Sequence, residues 1–233
     1  MIGENFKNVL KESEQIRAIV NQYCDYLMKN KKWKFENDIR FIFINQLNNI
    51  LISHNLNISY IIENISNIDW VKQKLQTDNY GAFEIHESYI TYNRNALIFS
   101  LTGVVERFFR RILMELNTSS IITEEFYNIR KNVFELLEID KEGDEWKALN
   151  VLSNIRNTIH NNGIHLTNRK DMKEIQFKYH HLYIIFKNEK QHFNAKYEIL
   201  NFVLIDLINL ARIINEHPKI SNINCIEEDV TLI

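Results

Sequence analysis

The chain has 233 residues, 45% of them hydrophobic and 12% aromatic, which suits one large domain, or a core domain with a helical extension, and excludes disorder except at the ends. Five Gly and a single Pro, Pro218, favour long helices and exclude a turn-rich sandwich or barrel. The net charge of −2, with both signs mixed along the chain, excludes a global positive field, so any nucleic-acid binding has to come from a local patch.

The opening MIGENFKNVLKESEQ is neither a signal peptide nor a transit peptide. Cys24 and Cys225 stand in no CxxC or zinc spacing, and reduced thiols in a soluble cytoplasmic protein are the expectation. Trp33, with Lys29, Lys31, Lys32 and Lys34 around it, is a small basic and aromatic cluster near the first loop, more simply read as a solvated loop than as a phosphate contact. Apolar residues then recur at helical spacing at Ile39, Ile42, Phe43, Leu47, Ile50 and Leu51, and again at Ile61, Ile65, Ile68, Val71 and Leu75. Between Thr77 and Thr91 the period breaks around Thr77-Asp78-Asn79-Tyr80-Gly81. This places a boundary between an N-terminal helical extension, residues 1–93, and a helical core, residues 94–217.

The core opens with a helix over 94–117. Leu97, Leu101, Val104, Val105, Phe108, Ile112 and Leu116 form its stripe, and Asn93 or Asn95 serves as its cap. Glu106 and Arg110 lie one turn apart and can pair, while Arg107 and Arg111 leave a small positive surplus on a neighbouring face. A second helix starts at Thr123, with Glu124 and Glu125 at its positive end and Phe126, Ile129, Val133, Phe134 and Leu137 buried. A third starts near Asp144, carries Trp146, Leu149, Leu152, Ile155 and Ile159 as its stripe, and stops at Asn161-Asn162-Gly163. Alternation at Ile175 and Phe177, then at Leu182, Ile184 and Phe186, predicts a small β-hairpin.

The last helix, 196–217, ends before Pro218, and the tail, 218–233, reads as loosely structured. That helix is long enough to span a bilayer, but Asn201, Asp206, Asn209 and Arg212 interrupt it, so a core or subunit-interface helix is expected and no membrane partner. The fold class is therefore all-α with a minor β-hairpin.

Chemistry concentrates in Asn154-Ile155-Arg156-Asn157-Thr158-Ile159-His160-Asn161-Asn162-Gly163. Arg156 and His160, four apart, share a helix face at the rim of the apolar stripe. The negative helix end favours a protonated His160 and Arg156 opposes it, a balance that suits a general acid or base. RNA carries its own nucleophile, the 2′-OH beside each phosphate. His160 can move a proton and Arg156 can clamp phosphate oxygens, with no metal or other cofactor in the scheme. One copy supplies one such pair, so two facing copies complete the set and a homodimer belongs to the reading. The third and last helices are its expected interface, because 196–217 carries more apolar surface than one core face requires.

These residues resemble the signature of the HEPN superfamily of helical domains. Its pattern is an Arg, usually followed by Asn, Asp or His, and then a His a few residues on, matched here by Arg156, Asn157 and His160. The resemblance covers roughly residues 94–217. It implies a HEPN-like helical bundle and a metal-independent endoribonuclease acting on single-stranded RNA, in phage defence or beside an antitoxin partner. Arg156 and His160 are then the catalytic residues, with Asn157, Arg107, Arg110 and Arg111 as substrate-binding residues. One departure stands out: family enzymes usually place four to six residues between Arg and His, whereas three lie between Arg156 and His160. His165, with a gap of eight, does not restore the spacing.

Two rival readings remain, a non-catalytic HEPN-like dimer that binds RNA or protein, and a helical interaction protein. In the latter Arg156 pairs with a carboxylate such as Glu106 and His160 satisfies an orphan helix carbonyl. His180, His181 and His192 hint at metal, but adjacent strand residues point to opposite faces. No Walker loop, dinucleotide fingerprint, nucleophile elbow or HExxH occurs.

Overall fold

The computed structural model describes residues 5–116, 125–166, 173–192 and 195–228. Short polar side chains start the first helices by taking orphan N–H groups. Asn5 opens α1 (Phe6–Asn30) by accepting from Asn8, and Asp38 opens α2 (Ile39–Tyr60) by accepting from Arg40 at 2.9 Å. α2 passes into a wide π-helical turn at Ile61–Ile65, where Ser66 N–H reaches back to the Ile61 carbonyl at 2.8 Å. α3 (Ile68–Leu75) is capped by Asn67 and ends on Gln76 in the left-handed region, φ 52°.

The expected break between Thr77 and Thr91 does not exist as a break. α4 runs without interruption over Asn79–Leu116, because Asp78 starts it by accepting the Gly81 N–H at 2.8 Å. The turn-like residues are a helix start. Asn93, expected as a cap, is buried inside the helix and hydrogen-bonded towards the Tyr197 hydroxyl. α4 therefore crosses from the extension into the core, and one hydrophobic cluster takes side chains from both, including the stacked Phe43–Phe108 pair at 4.4 Å.

α5 (Phe126–Leu136) buries Ile129, Val133 and Phe134, and the expected Thr123 cap lies outside the described residues. α6 (Asp144–His160) buries Leu149, Leu152 and Ile155 against α4 and α7. The short strand β1 (Ile164–His165) pairs antiparallel with β4 (Lys190–Gln191). Between them β2 (Glu174–Tyr179) and β3 (Leu182–Lys187) form the hairpin, with Ile175 opposite Phe186 and Phe177 opposite Ile184. The protein is thus mostly helical with a small hairpin.

α7 (Tyr197–Glu216) is the central helix and packs on α6, α1 and α2. Its apolar surplus is used inside the chain, which removes the reason for assigning it to a subunit interface. Its polar residues are engaged too: Asp206 accepts from Tyr179, and Asn201 donates to Glu12. Among the described residues no helix is long and apolar enough to cross a membrane.

Pro218 opens a short helix, α8 (Pro218–Ser221), and residues 222–228 after it are fastened rather than loose, while the expectation for 229–233 lies outside the described residues. The buried guanidinium of Arg40 binds the buried Asp38 carboxylate and donates to the Ile220 and Ile223 carbonyls at 2.7 and 2.9 Å. Ile39 N–H donates to the Ile226 carbonyl, and Glu228 N–H to that of Asn37. Trp33 is buried beneath the Arg40 guanidinium at 3.7 Å, so it is not a solvated loop residue.

Candidate functional site

α6 ends as its last residues dictate. Asn162 (φ 55°) and Gly163 (φ 85°) take left-handed conformations, Asn162 N–H donates to the Ile159 carbonyl at 3.1 Å, and Gly163 N–H to that of Thr158 at 2.8 Å. The Asn157 carbonyl accepts both the backbone and the side-chain amide of Asn161. These bonds satisfy the helix end without the His160 ring, which is exposed. Arg156 is half-buried one turn back and lies 3.5 Å from the Asn157 Oδ1, with no carboxylate partner among the described residues. Glu106 pairs with Arg110 instead. Arg156, Asn157 and His160 therefore share one open helix end.

The β1–β4 pair folds back beside this end. Lys190 stands opposite His165, and His192 N–H donates to the Gly163 carbonyl at 3.2 Å. An exposed cation is thereby added near the end of α6, which sequence spacing could not show. His165 is buried between Thr158 and Phe186, and burial, reinforced by the neighbouring His192, holds its pKa below the usual histidine range. It takes no part in the open surface.

The α4 arginines are differently engaged. Arg107 pairs with Glu228, Arg111 donates to the Glu227 carbonyl, and Arg110 binds Glu106 at 3.1 and 2.5 Å. Two of the four expected substrate-binding residues, Arg107 and Arg111, thus hold the C-terminal segment. His180 and His181 are the two turn residues of the hairpin rather than strand residues. His180 Nε2 lies 2.8 Å from Asp206, its ring stacks on Phe202, and His181 faces Glu198. Among the described residues no cluster of three or more His, Cys, Asp or Glu side chains is placed to hold a metal ion.

A second polar place was not anticipated. Between α2 and α4 lies a cavity of about 220 Å³ lined by Asn49, Ser53, His54, Asn57, Asn93 and Ser100, with aliphatic walls. Burial pushes the His54 pKa down to about 4, opposed by the hydrogen bond the ring donates to Asn93. The signal was present as Asn49, Ser53 and Asn57, polar residues four apart along one line of α2.

No protein-family model matches the chain, and neither a curated protein nor a solved structure matches it.

Proposed function

We propose that the protein is a metal-independent endoribonuclease of the HEPN type, with Arg156 and His160 in its active site and a second copy completing it. The supporting observation is the pair itself. Both side chains reach an open surface at the end of α6, and neither is used for the structural task that would explain it.

In this reading the His160 of one copy takes the 2′-OH proton and the 2′-oxygen forms its bond to phosphorus. The P–O5′ bond then breaks, and the protonated His160 of the second copy gives its proton to the departing O5′. Arg156, with Asn157 beside it, holds the non-bridging oxygens as charge gathers there. The products are a 2′,3′-cyclic phosphate and a 5′-hydroxyl. The exposed Ile164 and Leu166, next to the helix end, supply apolar surface for the second copy. A role in phage defence or beside an antitoxin rests on the family resemblance alone.

The experiment is cleavage of single-stranded RNA in EDTA. Arg156→Ala and His160→Ala should each lower the rate by about 10²–10⁴-fold. Both sit at a surface, so each should cost about 1 kcal/mol of stability or less. A 2′-deoxy substrate should resist, and light scattering should show a dimer. Cleavage that needs Mg²⁺, that acts equally on DNA, or that survives both substitutions would defeat the proposal. The regular helix that carries both residues at their short spacing favours a second reading, a dimeric binding module. That reading predicts RNA retention weakened by Arg156→Ala, with no cyclic phosphate formed.

A further inference from the structure

α2 and α4 share an outward face that carries no charge. The chain has no Asp, Glu, Lys or Arg between Arg40 and Glu63, nor between Arg94 and Glu106. A quarter of all its residues are charged, so a solvated face of two helices would ordinarily hold several. The two stretches run antiparallel. Gln46 and Gly103 border one hollow, Asn57 and Asn93 border the next, and Tyr60 packs on Tyr89 beyond it. On the open side Leu56 is 68% exposed, Tyr92 73%, Phe99 42% and Tyr60 41%. The exposed residues beside the hollows, Asn49, Ser53, Ser100 and Gly103, are small or neutral.

The size of the face bears on what covers it. From Asn45 to Tyr60 a helix rises about 22 Å, and two helices side by side are about 20 Å wide. The flat footprint is therefore about 450 Å², comparable with the largest patches that monomers expose. It is also the size of the centre of an interface that takes about 800 Å² from each partner.

The chemistry of the face selects a like surface. A charged partner would bury its charges here without a counter-charge. A lipid surface calls for free basic groups at the rim, but Arg107 and Arg110 at the near end are paired with Glu228 and Glu106. A second copy brings no charge to strand, and its carboxamides and hydroxyls both donate and accept. The relief is also self-complementary. Phe99 stands out beside a hollow of about 410 Å³ with Ile50 and Val104 in its lining, and a Cβ on Gly103 would meet nothing within 4 Å there. A two-fold axis pairs such a projection with such a hollow twice over.

We propose that the α2–α4 face is a self-association surface, on which a second copy docks by its own α2–α4 face, with Phe99 of each copy seated in the hollow of the other. This contact is separate from the end of α6 and takes α2 from the part of the chain that the HEPN resemblance does not cover.

The test follows the mass of the full-length protein by light scattering over the micromolar range. It is run in an Ile164→Glu chain, which removes the apolar surface assigned to the second copy at the α6 end. That chain should still be a dimer. Adding Phe99→Glu or Leu56→Glu should make it a monomer, weakening association by about 10²-fold or more. Both side chains are exposed, so circular dichroism should show the helices kept, and either variant decides if the other misfolds. Hydroxyl-radical footprinting should show Tyr60, Tyr92 and Phe99 oxidised more slowly as the dimer forms. An Ile164→Glu chain that is monomeric throughout, or a mass that neither added substitution changes, would overturn the proposal. Pelleting with phosphatidylcholine vesicles without self-association would overturn it too and assign the face to a lipid surface. Loss or absence of RNA cleavage bears on the α6 end alone.

Discussion

Replacing Arg40 by Met should unfasten the C-terminal segment and destabilise the whole protein. Arg40 and Asp38 are both 0% exposed, and the guanidinium donates twice to the carboxylate and once each to the Ile220 and Ile223 carbonyls. Met fills similar volume over Trp33 but returns none of these bonds. A buried carboxylate left without its cation costs about 3–5 kcal/mol. The two carbonyls would add about 1–3 kcal/mol each if they stayed buried, but the segment can swing into water and satisfy them there, so the two costs do not sum. The expected loss is thus about 3–5 kcal/mol, a fall in Tm on the order of 10 °C for a chain of this size. Urea melts measure the first, and hydrogen exchange over residues 219–228 locates it.

The double variant Asp38→Asn with Arg40→Met tests the cause. Asn can still accept the residue-40 N–H that starts α2, while the stranded charge is gone, so the double variant should be more stable than Arg40→Met alone. A single-variant loss below about 1 kcal/mol, or a double variant less stable than the single, would refute the assignment of the energy to this buried pair.

Two further outcomes follow from the same packing. His54 titrates at about 4 when folded against 6.5 when exposed, so the unfolded chain binds the extra proton first. Stability is therefore full above about pH 6.5 and falls as the pH drops towards 4, by on the order of 3 kcal/mol from this group. His165, also shifted down, adds in the same direction; His54→Phe should flatten the slope in pH-dependent urea melts, and an unchanged slope would sink the argument. Gly103 lies inside α4 and a Cβ there meets nothing within 4 Å, so Gly103→Ala should raise stability by about 0.5–1 kcal/mol in thermal melts.

What the sequence made legible was local. The third helix begins at Asp144 and stops at Asn161-Asn162-Gly163 because its stripe and its end are written in consecutive residues. The hairpin followed from alternation in the same way. The start of α4 was hidden because its first turns leave Tyr80, Phe83 and Tyr92 exposed, which breaks the apolar period that announces a helix elsewhere. The hairpin turn was hidden for a different reason. Its left-handed residue is His180, φ 51°, where Gly, Asn or Asp would have been the readable choice.

The tail could not be read because its anchor, Arg40, is about 180 residues away and nothing near Ile220 or Ile226 hints at it. The same distinction separates the end of α6 from the α2–α4 groove. Arg156 and His160 face one way because they are four apart on one helix, a relation that any helical stretch would preserve. The α2–α4 groove needs Asn49, Ser53 and His54 from one helix and Asn93 and Ser100 from another. The polar row on α2 reads, on its own, as a solvated face. It becomes one wall of a groove only because α4 packs against that row and carries Asn93 and Ser100 to it, closing His54 away from water.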